Sequence, residues 1–294
     1  MRHQPTDPSS VRRRFLVLRA LRWFPTGLMV PVLVLLLLER GLSLGQLGLA
    51  FAAQGFVVLV LELPTGGFAD ALGRKRVLLL AGGFQIGAVV VLIAASSVAV
   101  LAVAFALFGV YRALESGPLD AWYVDTAQAL DPDAHIERGL SQGGVVVGLA
   151  LGVGSLLSSA IVALDPLPAV DPLVTPLIVV LVLLVVEFVA LSILMTESRR
   201  SLSTRGLQEA ISEVPQIIVG AIRSVRASTV LAALVAIEFL WGFGMVSFET
   251  FTPAKLGDVL GSADQAATIL GPTSAGAWLA AAAGAAAIPA LTRR

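Results

Sequence analysis

A short polar segment between two long apolar runs decides the fold of this chain. It reads Gly66-Gly67-Phe68-Ala69-Asp70-Ala71-Leu72-Gly73-Arg74-Lys75-Arg76. The flanking runs, 44–64 and 77–95, each have about the 20 residues that a helix needs to cross a bilayer core. Glycines permit a tight turn and a close approach of two helices, and an acidic group beside cations can form an ionic network at helix ends. The segment therefore predicts a loop between two membrane helices.

The composition extends this interpretation to the whole chain. Of 294 residues, 57% are hydrophobic and 14% are charged, against about 45–50% and about 25% in soluble domains. Barrel strands alternate apolar and polar residues, whereas the apolar runs here are continuous. We expect an all-α membrane protein with about eight transmembrane helices, at 15–38, 44–64, 77–95, 98–117, 139–164, 173–195, 229–251 and 266–291.

Several classes of function lack the residues they need. The chain has no cysteine and two histidines, so disulfides, thiolate metal sites, cysteine nucleophiles and a histidine-based triad are not expected. We expect no metal, no cofactor and no enzyme activity. The formal net charge is zero, which gives no indication of a nucleic-acid partner. A magnesium-dependent membrane transferase is the enzyme alternative, but the acidic residues of 120–133 lack a repeating helical spacing and are interpreted as a solvated loop.

The basic residues predict the orientation in the membrane. Of 20 Lys and Arg residues, all but Arg40 and Lys255 fall in the termini and in the loops on one side of the predicted helices. Lys and Arg in short loops stay on the cytoplasmic side. We therefore expect a multi-pass protein of the plasma membrane, the cell's inner membrane, with both termini in the cytoplasm.

The longest polar stretch divides the chain. Residues 1–196 are predicted to form a six-helix N-terminal half, 197–228 a cytoplasmic interhalf linker, and 229–294 a partial C-terminal half of two helices. Apolar residues recur at helical spacing in the linker, which suits a helix in the membrane interface. Pro215 is expected to break or kink that helix.

Ionisable residues inside predicted spans are the candidate functional residues, because an unpaired charge in a bilayer is costly. The candidates for coupling or for lining a substrate cavity are Glu62, Arg112, Glu115, Glu187 and Glu238. For Glu62 a structural partner of the loop cations is favoured over a proton site. Arg112 and Glu115 are three residues apart on one helix, which predicts an ion pair. A static pair and a role in coupling remain equal alternatives.

The fifth predicted helix carries small residues at a regular interval. Gly144, Gly148 and Gly152 recur every four residues, a spacing that places them on one face and favours close helix packing. The interpretation as a packing face is preferred over a signature of antiport.

The polar segment 66–76 resembles the loop signature of the major facilitator superfamily, which runs Gly-x-x-x-Asp, a basic residue, x, Gly-Arg and another basic residue. Gly66, Asp70, Gly73, Arg74 and Lys75 match, and Ala71 departs from the usual cation. The resemblance extends to Leu61-Glu62-Leu63-Pro64-Thr65-Gly66, which looks like the second-span ending of bacterial efflux-type members. It implies a helical bundle that works by alternating access, with the five matching residues in a conformational-switch loop. Relative to that family the chain is expected to be truncated after the eighth span.

The function implied by the resemblance is secondary active transport, with proton-linked efflux of small hydrophobic molecules. The partners implied are a small-molecule substrate, protons as the coupling ion and the lipid bilayer, with self-association if the chain end is genuine. Two alternatives stay open. One is an importer of sugars or metabolites with the same fold, and the other is a membrane interaction module that does not transport.

Overall fold

The computed structural model describes residues 7–197 and 204–291, and it describes their side chains except in 63–67, 70–71, 204–211, 213–214 and 288–291. Within these ranges the chain forms eleven α-helices and no strand. The helices are α1 (Pro8–Met29), α2 (Leu33–Glu39), α3 (Leu44–Leu72), α4 (Arg74–Ile93), α5 (Val98–Glu115), α6 (Pro118–Leu130), α7 (Ile136–Leu164), α8 (Thr175–Leu194), α9 (Thr204–Ala227), α10 (Thr229–Leu260) and α11 (Ala263–Leu291).

Seven helical stretches in the described residues are long and apolar enough to cross a membrane. They are Pro8–Glu39, Leu44–Glu62, Arg74–Ile93, Val98–Leu130, Ile136–Leu164, Thr175–Leu194 and Thr229–Leu260. They overlap the first seven predicted runs in order, with ends that differ by a few residues. The eighth run lies in the alanine-rich helix α11, whose 29 residues would extend for about 43 Å.

Two of these seven stretches are each built from two helices. The first divides at residues 30–32, which lie between α1 and α2 and include Pro31. The fourth divides at Gly117, which adopts a left-handed conformation (φ +90°) between α5 and α6. Glycine adopts this conformation without the steric cost of a Cβ atom. The polar segment that follows α5 therefore continues as a helix.

Side-chain caps and glycines fix the helix ends. Ser43 and Gln46 form a reciprocal capping box at the start of α3, which satisfies two otherwise unpaired backbone N–H groups. Between α3 and α4 the chain turns at Gly73, whose φ is +90°. The segment 66–76, predicted as a loop, is therefore helical except at Gly73, because residues 66–72 continue α3 and residues 74–76 begin α4.

The core lies between the first six spans. Helix α1 packs against α7 and α8, α5 packs against α3 and α4, and α4 also packs against α8. Most of the core is aliphatic, but one end holds an aromatic cluster in which the rings of Phe15 and Tyr123 stack with centroids 4.6 Å apart. This end also holds the first turns of α1 and α4 and the end of α8, with many of the arginines. We call it the basic end.

Helices α10 and α11 differ in how they join this bundle. Helix α11 packs closely along α7, whereas α10 contacts α11, α2 and α9. No residue in the most apolar 18-residue window of α10 is buried. Large side chains such as Phe239, Trp241 and Phe243 are between 64% and 72% exposed. In a bilayer this surface suits contact with lipid or with further helices.

Two further sequence interpretations differ from the structure. The acidic stretch expected to be a solvated loop begins within helix α6, because Pro118 follows Gly117 at the first helical position and starts a new helix. Helix α9 continues through Pro215, so the proline does not end the helix there. A proline removes one N–H donor, and the other hydrogen bonds of the helix remain available.

Candidate functional site

A group of charged side chains is buried between α1, α5 and α8. Arg22 of α1 is 3% exposed and Glu187 of α8 is 4% exposed. The Nε atom of Arg22 lies 2.7 Å from Oε2 of Glu115 at the end of α5, and its Nη1 atom lies 3.6 Å from Oε1 of Glu187. One guanidinium therefore joins carboxylates from two other helices.

Two further side chains of α5 complete this group. The Nη1 atom of Arg112 lies 2.6 Å from Oε1 of Glu115, so the pair predicted from the sequence forms. The Arg22 guanidinium lies over the ring of Tyr111, 5.4 Å from its centroid. We call Arg22, Tyr111, Arg112, Glu115 and Glu187 the buried ionic cluster, in which Arg112 lies at the edge with its side chain 44% exposed. Its two arginines and two glutamates balance in charge, which is the condition under which ions persist in a bilayer interior.

The two carboxylates of the cluster are held differently. Glu115 has an arginine on each of its oxygens, at 2.7 Å and 2.6 Å, while Glu187 has one arginine, at 3.6 Å. None of the three guanidinium nitrogens of Arg22 makes a well-directed hydrogen bond, although a guanidinium carries five N–H donors. The contacts of Arg22 with the two carboxylates are therefore described as ionic contacts.

At the basic end, the last residues of α8 accept contacts from α4. The ammonium of Lys75 donates to the carbonyl oxygens of Ser192 at 2.6 Å and Met195 at 2.7 Å. The carboxylate of Glu197 accepts the backbone N–H groups of Arg74 at 3.0 Å and Lys75 at 3.1 Å. A cation at a helix C-terminus and an anion at a helix N-terminus both complement the helix dipoles. These contacts fasten α4 to the end of α8.

Helix α6 is fastened to the same place. The indole Nε1–H of Trp122 donates to the carbonyl oxygen of Thr196 at 2.9 Å, and Arg74 pairs with Asp125 at 2.6 Å. We call these contacts, with those of Lys75 and Glu197, the α8-terminus network. The matching loop residues Gly73, Arg74 and Lys75 all lie in it, within the first six spans. The side chains of Gly66 and Asp70 lie outside the described residues.

The other predicted site residues do not join the buried ionic cluster. Glu62 is exposed at the end of its span, where the hydroxyl of Ser116 donates to its Oε1 atom at 3.4 Å. Glu238 is exposed on α10. The structure therefore brings together three of the five predicted coupling candidates, which are Arg112, Glu115 and Glu187.

The glycine stripe of α7 faces α11. A Cβ atom at Gly148 would lie 2.7 Å from the Cβ atom of Ala282, and one at Gly152 would lie 3.2 Å from the side chain of Leu279. At Gly144 the nearest atom would be 3.8 Å away, on Ala285. Real Cβ contacts are not as short as that at Gly148, so α7 and α11 approach each other closely there.

Sequence reasoning missed Arg22. It was counted among the cations that orient the protein, whereas the structure buries it in the core. The signal was present, because Arg22 lies inside the predicted first span, 15–38, where an ionisable residue is a functional candidate. What the sequence could not supply was the rotational position that turns Arg22 toward α5 and α8 rather than toward lipid.

The structure offers no metal site in the residues it describes, since no group of three or more acidic or histidine side chains converges there. Two cavities lie at opposite ends of the bundle. One of about 380 Å³ lies between α2, α10 and α11 and includes Leu35, Glu39 and Asp258 in its wall. The other, of about 520 Å³, is at the basic end and includes Arg12 and Tyr123. Neither includes a residue of the buried ionic cluster.

Comparison with known proteins decides the family. The family model described as Major Facilitator Superfamily matches residues 15–294. The chain belongs to the Major Facilitator Superfamily. The predicted family and the all-α fold class of this superfamily are thereby confirmed, and the chain is a membrane protein of a transporter family.

Two solved structures are similar to this chain, and the first of them supports the fold. One, from work on the selectivity mechanism of a bacterial homologue of the human drug peptide transporters PepT1 and PepT2, has a TM-score of 0.54 and 13% identity, covering 85% of this chain and 58% of its own. Another, a mutant of the peptide transporter POT in complex with sulfate, has a TM-score of 0.46 and 18% identity, covering 84% and 49%. This chain thus spans about half of each of these proteins. No curated protein matches it.

Proposed function

We propose that this chain carries out secondary active transport by alternating access, as proton-linked efflux of small hydrophobic molecules. The observation that carries the proposal is the buried ionic cluster. Charges inside an otherwise apolar membrane bundle are costly, and proteins retain them at ion and substrate pathways. Arg22 and Glu187, each at least 96% buried, lie where three helices of the first six spans meet.

The direction of efflux rests on the sequence resemblance around Glu62 and on the apolar character of the chain. The proposed location is the plasma membrane, with the basic end in the cytoplasm. Support for this orientation comes from the arginines and lysines of the termini and of the α3–α4 and α8–α9 connections. The division into residues 1–196, 197–228 and 229–294 belongs to the same proposal, with α9 as the linker helix between two halves.

Transport in proteoliposomes tests the proposal. The purified chain is reconstituted, a pH gradient is imposed, and movement of a panel of hydrophobic dyes is followed together with internal pH. We expect movement of at least one dye that collapses when the gradient is removed, with counterflow of protons. Dye movement that ignores the gradient would refute proton coupling, and absence of movement for the whole panel would refute efflux of hydrophobic molecules.

An importer of sugars or metabolites with the same fold is the first alternative. The same vesicles distinguish it. A proton-linked importer moves its solute in the same direction as the protons, whereas a proton-linked exporter moves its solute in the opposite direction. The panel therefore includes sugars, and it includes small peptides because the structurally similar proteins are peptide transporters. Accumulation of one of these solutes without movement of any dye would favour import.

The second alternative is a membrane module that acts through association with a second copy or a partner protein. It is motivated by the exposed apolar surface of α10, where Phe239 and Phe243 are more than 70% exposed. The mass of the protein in detergent and in nanodiscs tests self-association. A stable dimer that moves no solute from the panel would favour it, and a monomer that transports would refute it.

A further inference from the structure

Arg22 contacts two carboxylates, Glu115 at 2.7 Å and Glu187 at 3.6 Å. This difference in distance suggests how the cluster works. We propose that Glu187 is the group that takes up the coupling proton and that Arg22 is the cation released by that step. Helix α1 is then tied through Arg22 to both α5 and α8 when Glu187 is ionised, and to α5 alone when Glu187 is protonated. This inference rests on the proposed function and assigns its coupling residues.

The geometry selects Glu187 over Glu115. Each oxygen of Glu115 has an arginine nitrogen within 2.7 Å, whereas Glu187 is 3.6 Å from one nitrogen of Arg22. Adding a proton to Glu115 would sacrifice two close ionic contacts, and adding one to Glu187 sacrifices one longer contact. Since ionic attraction falls with distance, protonation costs less at Glu187.

The surroundings of Glu187 leave Arg22 as its main charged partner. Helix α5 contributes Tyr111, Arg112 and Glu115, and of these the glutamate repels the Glu187 carboxylate.

The other charged residues of α1 are Arg12, Arg13, Arg14 and Arg19. Arg14 bonds to the Leu194 carbonyl at the far end of α8, and Arg19 pairs with Asp120. Helices α4 and α7 also pack against α8, but they carry their charged residues in their first turns. These are 74–76 on α4, where Lys75 bonds to the far end of α8, and 137–138 on α7.

The charge balance supplies the consequence. With both glutamates ionised, the cluster has two positive and two negative charges. A proton that binds an Oε atom of Glu187 yields a neutral carboxylic acid and leaves one uncompensated positive charge in the cluster. Such a charge is unfavourable in an apolar interior. Arg22 then keeps one carboxylate partner instead of two, so a movement of α1 that brings Arg22 to water or to an anion becomes favourable.

The test measures the distance between α1 and α8 as a function of pH. Because the chain has no cysteine, Val17→Cys on α1 and Val189→Cys on α8 provide two unique labelling sites, which are 43% and 48% exposed. Spin labels at these sites report the distance in nanodiscs at pH 5 and pH 8. We expect the mean distance to change by ~1–2 Å or more between the two pH values, the scale of helix shifts in switching proteins.

Variants at Glu187 test whether this residue causes the change in distance with pH. Glu187→Gln, which resembles the protonated side chain, is expected to show the pH 5 distance at both pH values. Glu187→Asp keeps a titratable group and is expected to retain the shift, and Glu249→Gln on the exposed side of α10 is the control that leaves it intact. A wild-type shift in Glu187→Gln overturns the proposal. So does a shift that disappears in Glu115→Gln but persists in Glu187→Gln.

Two readings separate this inference from the proposed function. Transport of a dye together with protons, but with a distance that ignores pH or Glu187, would refute the switch and leave transport intact. A distance that follows Glu187 in a chain that moves no solute from the panel would support the switch and refute the proposed function.

Discussion

The first six spans and helix α10 place the same type of residue in opposite surroundings. Glu187 and Glu238 both lie near the middle of a predicted span, yet Glu187 is 4% exposed and faces Arg22, whereas Glu238 is exposed on α10. The two helices each contact three others, but α8 packs closely along α1 and α4, whereas the apolar part of α10 has no buried residue. An intramembrane carboxylate is therefore a functional candidate only together with the helix face that it occupies.

Removal of the shared arginine is expected to have the largest effect. Arg22→Gln leaves Glu187 without a counter-charge, and breaking a buried ion pair costs about 3–5 kcal/mol. The free energy of unfolding in mixed micelles should fall by this amount at pH 8, and by less at pH 5, where a protonated Glu187 needs no counter-charge.

The matched control is Arg112→Gln, whose side chain is 44% exposed and whose loss should cost about 1 kcal/mol or less. The double variant Arg22→Gln, Glu187→Gln should recover part of the stability lost in Arg22→Gln. An equal loss of unfolding free energy in Arg22→Gln and Arg112→Gln would show that burial does not distinguish the two arginines. It would contradict the comparison between buried and exposed charges.

A close backbone contact gives the next largest effect. A Cβ atom at Gly27 would lie 2.6 Å from the carbonyl oxygen of Leu151, so Gly27→Val forces α1 and α7 apart. Overpacking of this kind costs about 1–3 kcal/mol. On α10, Gly244 has open space around its Cβ position, and Gly244→Val should leave the melting temperature nearly unchanged. A lower melting temperature for Gly244→Val would place α10 inside a packed assembly.

Tryptophans allow the same comparison for hydrogen bonding. Trp122→Phe removes the indole donor to the Thr196 carbonyl, which should reduce stability by about 0.5–1.5 kcal/mol. Trp241 on α10 is 64% exposed, and Trp241→Phe serves as the control. Thermal melts of both variants in one detergent measure the difference, and no difference would mean that the α8-terminus network adds little to stability.

The smallest effect is expected for the ion pair at the basic end. Asp125 is 58% exposed where it meets Arg74, and exposed pairs contribute about 0.2–1 kcal/mol that salt screens. Asp125→Asn should therefore lower the melting temperature slightly at low ionic strength and not at 1 M salt. An effect that survives high salt would instead assign Asp125 to the anchoring of α6.

Much of the fold could be predicted from the sequence because continuous apolar length is a one-dimensional property. The predicted runs fall in helices, but the predicted loop 66–76 is reduced to a turn at Gly73. Helix α6 was missed, because the polar residues after Gly117 were interpreted as a loop and the left-handed turn at Gly117 starts a new helix instead. The family was also predicted, because five residues at fixed spacing identify its loop.

The candidate site could be predicted only in part. The pair of Arg112 and Glu115 follows from helical spacing along one element, and the structure forms it. The partnership of Arg22 with Glu187 joins residues 165 positions apart and depends on how α1 and α8 rotate about their axes. Nothing in one sequence fixes those rotations. Arg22 is therefore interpreted from the sequence as a residue that orients the protein in the membrane, and Glu238 as a coupling candidate equal to Glu187.

The close contact between Gly27 of α1 and Gly154 of α7 is a point about which α1 can tilt. A Cβ atom at Gly154 would lie 2.7 Å from the carbonyl oxygen of Phe24 and 3.0 Å from the Cα atom of Gly27, and the hydroxyl of Ser155 donates to the Gly27 carbonyl at 3.1 Å. Arg22 is five residues from Gly27, which corresponds to about 7.5 Å along the helix axis. A tilt of α1 by about 10° at this point would carry the guanidinium roughly 1.3 Å, so a small rotation at the glycines is enough to change which carboxylate Arg22 meets.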